Sequence, residues 1–229
     1  DEITYAGLPE LIRWLKDQNI RFLGYINTFL KENEPQYLEA KQQGYLVLNQ
    51  RYEPYLIKST TFKAGIVDLT NPNAYAWYKA VIIKNMIDLG MSGWMADFGE
   101  YLPTDAIIRD GDVEMTHNYW PTLWAKLNYE AIQSSDRRDE LFFFSRAGYT
   151  DTVRYTYSMW AGDQHVDFSR TDGLPSVITS ALNMSLVGAG ISHSDIGGYT
   201  TILHMKRNQD LMKRWTELSV FSPIFRTHE

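Results

Sequence analysis

The sequence contains no cysteine. Disulfides, thiolate metal sites and a cysteine nucleophile are therefore excluded, and the absence fits a reducing compartment. Positive charge is scarce as well: the net charge is −6, and no stretch gathers Lys and Arg on one face. That balance argues against a nucleic-acid partner. No apolar run approaches the ~20 residues that a membrane span needs. The acidic opening, DEITYAGLPE, lacks the apolar centre of a signal peptide. Neither GxGxxG nor GxxxxGK(S/T) occurs, so the glycine-rich phosphate cradles are missing. There is no repeat of fixed period and no low-complexity segment. Together these absences point to a soluble cytoplasmic enzyme domain with no membrane and no nucleic-acid partner.

Aromatic residues are plentiful. Seven Trp and fifteen Tyr stand in a chain of 229 residues that is 44% hydrophobic. This is more flat surface than a core alone demands. Aromatic rings line clefts for flat ligands such as sugars, although for any single ring a core position is the commoner use. The length fits one domain over residues 1–229, since α/β barrels routinely run to about 200–250 residues.

Short β-rich runs alternate with helical patterns. Leu8, Leu11, Ile12 and Leu15 recur at helical spacing, followed by a strand, IRFLGYI, over residues 20–26. After a polar region with one helix-like stretch, AGIVDL (64–69) reads as a second strand. TNPNAYAWYKAVIIKNMIDLG then opens on a capping turn and stops at Gly90 as a helix. GWMAD (93–97) is a third strand, and a long irregular excursion leads to a helix from about 118 to 132. ELFFFSRAG (140–148) and YSMWAGD (157–163) are further strands, the first with the continuous apolar run of a strand buried on both faces. A helix over 174–188, a strand over 190–199 and a basic amphipathic helix over 204–219 precede the closing FSPIFRTHE.

Such alternation implies a parallel sheet covered by helices, either doubly wound or a (β/α)8 TIM barrel. Polar residues at the C-terminal ends of separate strands decide for the barrel: Asp97, Arg146, Asp163, Asp195 and His228. In a barrel those ends converge on one mouth. Six or seven strand candidates are countable rather than eight, so the expected fold is an α/β barrel with its first strand missing.

Two carboxylates at one mouth suit glycoside hydrolysis. In the retaining form one attacks the anomeric carbon and the other, about 5–5.5 Å away, protonates the leaving oxygen. Asp97 ends an apolar strand and precedes Gly99, which permits a tight turn beside a ligand. Asp163, behind Trp160 and Gly162, has an apolar neighbour that would raise its pKa and suit an acid. Arg146 can keep a carboxylate ionised or grip sugar hydroxyls. Glu100 is expected to support Asp97 from past the turn. Each residue has an ordinary use too: a strand-end Asp often caps the next helix, and Arg146 fits a buried ion pair. His193 and Asp195 have a spacing that would allow metal ligation, but with no other clustered histidine no metal site is expected.

The motifs GWMADFGEYLPTDA, RAG, WAGDQ, HSDIGGYTT and FRTHE, in this order, resemble glycoside hydrolase family 31 across essentially the whole chain. The likeness is strongest to its sulfoquinovosidase branch, which cleaves α-sulfoquinovosides. DFGE followed by PTD is shared with the α-xylosidase branch and marks the family alone. The resemblance implies a retaining double displacement on a carbohydrate substrate with no cofactor or metal. By it Asp97 matches the nucleophile and Asp163 the general acid/base. Arg146 and His228 match ligands of sugar hydroxyls, Asp195 lines the pocket, and Tyr199 stands where that branch places a tyrosine near the sulfonate. The branch's main sulfonate ligands, an Arg and a Trp, belong to a segment before these residues. An α-glucosidase, an α-xylosidase or a non-catalytic carbohydrate-binding domain are the alternatives.

Overall fold

A computed structural model describes residues 5–58, 62–156, 158–202 and 204–228. Tyr157, the first residue of the expected strand YSMWAGD, and the first four residues of the acidic opening lie outside them. The chain divides into two compact units, Asp1–Phe143 with Ala147–Tyr155, and Phe144–Arg146 with Thr156–Glu229.

In the first unit, α1 (Leu8–Asp17) leads into β1 (Leu23–Ile26), and a short excursion follows: β2 (Phe29–Lys31), α2 (Pro35–Gln43), β3 (Leu56–Lys58) and β4 (Lys63–Ile66). The chain resumes with α3 (Pro72–Ile82), which runs on through a π-helical turn at Ile83–Ile87. After β5 (Gly93–Ala96) and α4 (Val113–Gln133) comes β6 (Phe142–Ser145), whose first two residues belong to this unit. β1 and β5 pair in parallel, Leu23 with Gly93 through Ile26 with Ala96. Beyond them, Phe142 N donates to Ser92 O at 3.2 Å. A Cβ on Gly93 would stand 2.0 Å from the Phe142 carbonyl oxygen, so the approach at this point requires glycine.

One expectation is overturned. AGIVDL is not a strand of the parallel set: β4 pairs antiparallel with both β2 and β3, forming a small separate sheet. The run is apolar because it is buried, and burial alone does not reveal the direction of a partner. Asp68, just past β4, is spent on local structure; it accepts from Thr70 N (2.9 Å) and from Arg109 N (2.7 Å).

The helices start where their caps put them. Asn71 accepts from Asn73 N at the head of α3, with Pro72 as the first helical residue. Asp112 accepts from Glu114 N, so α4 begins five residues before the expected 118 and carries Pro121 within it. Trp94, Trp120, Trp124 and Leu127 fill the core between β5 and α4, each effectively out of water. Burial of such a side chain stabilises by about 2 kcal/mol. Trp94 Nε1 donates to the buried Asn128 Oδ1 at 2.8 Å, which leaves that amide satisfied.

The second unit continues the pattern with the end of β6, then β7 (Ser158–Trp160), α5 (Leu174–Leu186), β8 (Ile191–His193) and α6 (Gln209–Ser219). Ser145 pairs in parallel with Met159, β7 pairs in parallel with β8, and Asp195 bridges in parallel to Arg226. Within this unit each strand therefore lies beside the next in sequence, without the reversal of order that marks a doubly wound sheet. That ordering is what a (β/α) barrel requires. α6 starts at Gln209, later than the expected 204, because Asn208 caps it by accepting from Leu211 N. Its buried face, Leu211 and Trp215, packs with Val166, Val177 and Ile196. No helix among the described residues is long and apolar enough to cross a membrane.

Candidate active site

In the first unit the candidate nucleophile, Asp97, follows the C-terminal end of β5. Asp97 N donates to Ile26 O at 2.8 Å, so the β1–β5 ladder reaches the carboxylate's own residue. The side chain is buried. Immediately beyond, Phe98 (φ 59°) and Gly99 (φ 106°) both take left-handed backbone conformations. A Cβ at Gly99 would sit 3.1 Å from Trp124 Cδ1, so α4 presses against this turn. The turn aims Phe98 N at Asp97 Oδ1 (2.8 Å), while the Tyr25 hydroxyl donates to Oδ2 (2.5 Å).

The ordinary use of a strand-end aspartate is excluded here. The next helix, α4, is capped by Asp112, and Asp97 has no part in its first turn. Three aromatic rings flank the turn instead: Phe98 lies 4.7 Å from Phe29 and 5.3 Å from Tyr101, centroid to centroid. Flat apolar faces beside a buried carboxylate suit the face of a pyranose. Glu100 is half-buried, three residues past Asp97. Asp105, the acid of the PTD motif, accepts from the Tyr55 hydroxyl at 3.0 Å and serves the loop.

In the second unit Asp163 stands three residues beyond β7. It does not cap α5, which starts after Gly173. Arg146 Nη1 lies 3.6 Å from Asp163 Oδ2, with the arginine side chain 15% exposed and the aspartate 39%. The expected desolvation by Trp160 is not what the structure shows. Trp160 is buried edge-on against Phe144 (5.6 Å), whereas the carboxylate is open to water and paired with a guanidinium. Asp163 also lines a polar cleft of about 450 Å³ with Gln164, Arg170, Asp172, Ser176 and Asn183. A larger cleft of about 610 Å³, in the first unit, is lined by Ile12, Arg13, Asp88 and Arg137 and holds none of the candidate residues.

Asp195 is completely buried, with Arg226 against Oδ1 and His228 Nδ1 3.5 Å from Oδ2. Burial pushes its carboxyl up, while the charges of Arg226 and His228 pull it down and Asp163 adds to the upward push. The net direction is upward. Asp195 contacts both Arg226 and His228. His228 is half-buried and stacks on Tyr199 at 4.5 Å and 26°, so the two expected sugar-contacting side chains share one surface. His193 is buried edge-on to Phe144, and burial, aided by the charge of Arg226, lowers its pKa to about 3. A neutral core histidine is the result. Among the described residues no three His, Asp or Glu side chains gather as metal ligands would.

Three residues escaped the sequence reading. Tyr25 sits in a strand, where tyrosine is ordinary β material, and nothing in the sequence tells which strand it will neighbour. Arg226 lies within FRTHE but is two residues from the histidine that drew attention. Arg207 Nη2 donates to Gly198 O (2.7 Å) and His228 O (3.0 Å), tying together the segments that carry Tyr199 and His228. An arginine in a loop gives no such signal beforehand.

The model of the glycosyl hydrolases family 31 TIM-barrel domain matches residues 1–229. The chain is 50% identical over 227 residues to a sulfoquinovosidase of Escherichia coli K12, covering 99% of this chain and 34% of the relative. It is 46% identical to a sulfoquinovosidase of Agrobacterium fabrum, covering all of this chain and 35% of that protein. A solved structure of a family 31 sulfoquinovosidase from E. rectale, in complex with an aza-sugar inhibitor, superposes with a TM-score of 0.96 at 43% identity. It is matched over 100% of this chain and 35% of its own. The chain thus spans about a third of the length of these relatives. It belongs to glycoside hydrolase family 31, as that family's TIM-barrel domain.

Proposed function

We propose that this domain carries the catalytic residues of a retaining α-glycosidase that releases sulfoquinovose from α-sulfoquinovosides. The observation that carries the reading is the state of Asp97. It is a buried carboxylate at the end of a parallel strand, with each oxygen held by a donor and no helix to cap. A carboxylate so restrained is pre-positioned for in-line attack, which is where enzymes gain most from orientation.

In the first step a carboxylate oxygen of Asp97 bonds to the anomeric carbon. The glycosidic bond breaks toward its oxygen, which takes a proton from Asp163. In the second step Asp163 receives a proton from water, whose oxygen attacks the anomeric carbon and frees the Asp97 carboxylate. Arg146, paired with Asp163, favours the ionised state that the second step uses. His228 and Tyr199, stacked together, present a hydrogen-bonding and aromatic surface to the sugar.

Sulfoquinovose as the sugar rests on two supports. The relatives that match at 46–50% identity are sulfoquinovosidases. By the family resemblance, Tyr199 also offers a phenol donor for a sulfonate oxygen. The experiment compares 4-nitrophenyl α-sulfoquinovoside with the matching α-glucoside and α-xyloside in the full-length protein. Preferred turnover of the sulfonated substrate, with first release of the α-configured sugar, is expected, and Asp97→Asn should abolish it. Preference for either neutral sugar would instead assign an α-glucosidase or α-xylosidase, and binding without turnover would reject an enzyme.

A further inference from the structure

The mechanism above leaves Tyr25 without a role, although its hydroxyl makes a 2.5 Å bond to the candidate nucleophile. The contact follows from strand geometry. β1 and β5 are parallel with Tyr25 opposite Met95, so Asp97, two residues on, emerges on the same side of the sheet as Tyr25. The neighbouring Gly24 faces the other side, where an added Cβ would meet Met91 and Met86. Tyr25 is thus directed at the carboxylate by the pleat itself. The bond does not depend on a loop.

The direction of the hydrogen bond is fixed from behind. Asn27 Oδ1 accepts from Phe29 N at 2.8 Å, which orients the amide so that Nδ2 faces Tyr25. Asn27 Nδ2 then donates to the Tyr25 oxygen at 3.1 Å. The Asn27 backbone is itself pinned, since its carbonyl accepts from the buried Tyr78 hydroxyl. With a donor already pointed at its oxygen, the phenol turns its own proton to Asp97 Oδ2. Asn27, Tyr25 and Asp97 form a one-way relay of donors.

We infer that Tyr25, oriented by Asn27, is a positioning residue for Asp97 that stabilises this carboxylate as it leaves the glycosyl-enzyme. The inference rests on the proposed role of Asp97. While the ester exists, Asp97 carries no charge and the phenol bond is weak. When water's oxygen attacks the anomeric carbon, the bond from that carbon to the Asp97 oxygen breaks. The electron pair goes to the carboxylate, and the water proton goes to the general base. Negative charge returns to the carboxylate, and the phenol proton is already aimed at it. A donor placed where charge develops acts on the second step more than on the first.

The test is pre-steady-state hydrolysis of 4-nitrophenyl α-sulfoquinovoside, or of whichever aryl α-glycoside the full-length protein turns over best. Tyr25→Phe keeps the ring and removes the proton. Its steady-state kcat should fall about ten- to a hundredfold, the range for a bond to a charged group. A burst of nitrophenol equal to the enzyme concentration should precede that slow phase. Asn27→Asp keeps the acceptor for Phe29 N but turns the donor facing Tyr25 into an acceptor, which draws the phenol proton away. It should also slow the second step and show the burst, an effect that a purely structural role for Asn27 would not produce. Either variant with unchanged kcat, or with slow turnover and no burst, overturns the inference. Asp97→Asn run alongside separates the two claims: if it stays active the nucleophile is misassigned, and if it is dead while Tyr25→Phe is normal, the relay alone fails.

Discussion

Arg226 closes its guanidinium on Asp195, whose carboxylate is entirely out of water. The same two residues are joined by a parallel backbone bridge, and the guanidinium lies 5.1 Å over the Phe144 ring. Ion pair, ladder and cation–π contact thus act at one point, where the chain returns after α6 to lie beside the end of β8. His228 reaches the second oxygen of Asp195 and carries the stacked Tyr199 ring. The stacked pair is in this way seated on a buried charge.

Removing the cation should therefore be costly. Arg226→Met leaves Asp195 buried without its main counter-charge, and a loss of about 3 kcal/mol in unfolding free energy is expected. Urea unfolding at neutral pH measures it. A change within about 0.5 kcal/mol, the usual size of a surface substitution, would show that the pair does not matter.

The buried His193 makes stability pH-dependent. Its folded pKa of about 3 lies below the ordinary 6.5, so the unfolded chain binds the proton first. The neutral form's contribution is complete above about pH 6.5 and is lost as pH falls toward 3, at up to about 1.4 kcal/mol per pH unit. From roughly pH 7 to pH 5 the protein should lose about 2 kcal/mol more stability than His193→Gln does. The upward shift of Asp195 acts in the opposite sense, but it is common to both proteins and drops out of the difference. Parallel pH profiles would contradict the prediction.

Gly99→Ala tests the turn that aims Asp97. The left-handed backbone and the approach of Trp124 both disfavour a side chain there. A stability loss of about 1–3 kcal/mol is expected. Relaxation of the turn would also draw Phe98 N from Asp97 Oδ1, so kcat should fall in the folded fraction as well. Loss of stability with full activity per folded molecule would separate the turn from the chemistry.

Much of this was legible in the sequence, and the failures have physical causes. The strand–helix alternation and the strand-end residues Asp97, Arg146 and Asp163 were readable because a polar residue at the end of an apolar run is a local signal. AGIVDL misled because its apolar run records burial and not the direction of its partner strands. The head of α4 was placed late because Asp112 caps a polar first turn, and the apolar periodicity starts only afterwards. Asp163 was read as desolvated by Trp160 because the two are close in sequence. The tryptophan is instead turned into the core against Phe144, and Asp163 meets Arg146, which is distant in sequence. Tyr25, Arg207 and Arg226 act through contacts between elements, which no local pattern encodes.

Under the proposed function Tyr199 is expected to separate the sulfonated from the neutral substrate. With the His228 stack retained, Tyr199→Phe removes one hydroxyl from that surface. A drop of about tenfold in kcat/KM is expected for the α-sulfoquinovoside, with little change for an α-glucoside, since hydrogen bonds to charged groups are the stronger ones. Equal effects on both would place the phenol elsewhere on the sugar.

The two aspartates are assigned opposite duties, and chemical rescue distinguishes them in a single product analysis. Asp97→Gly and Asp163→Ala are each incubated with an activated aryl α-glycoside and azide, and the anomeric configuration of the glycosyl azide is read by NMR. The account predicts the inverted, β-configured azide from Asp97→Gly, where azide takes the nucleophile's place. From Asp163→Ala it predicts the retained, α-configured azide, because the glycosyl-enzyme on Asp97 forms first. An α-azide from the Asp97 variant, or a β-azide from the Asp163 variant, would contradict it.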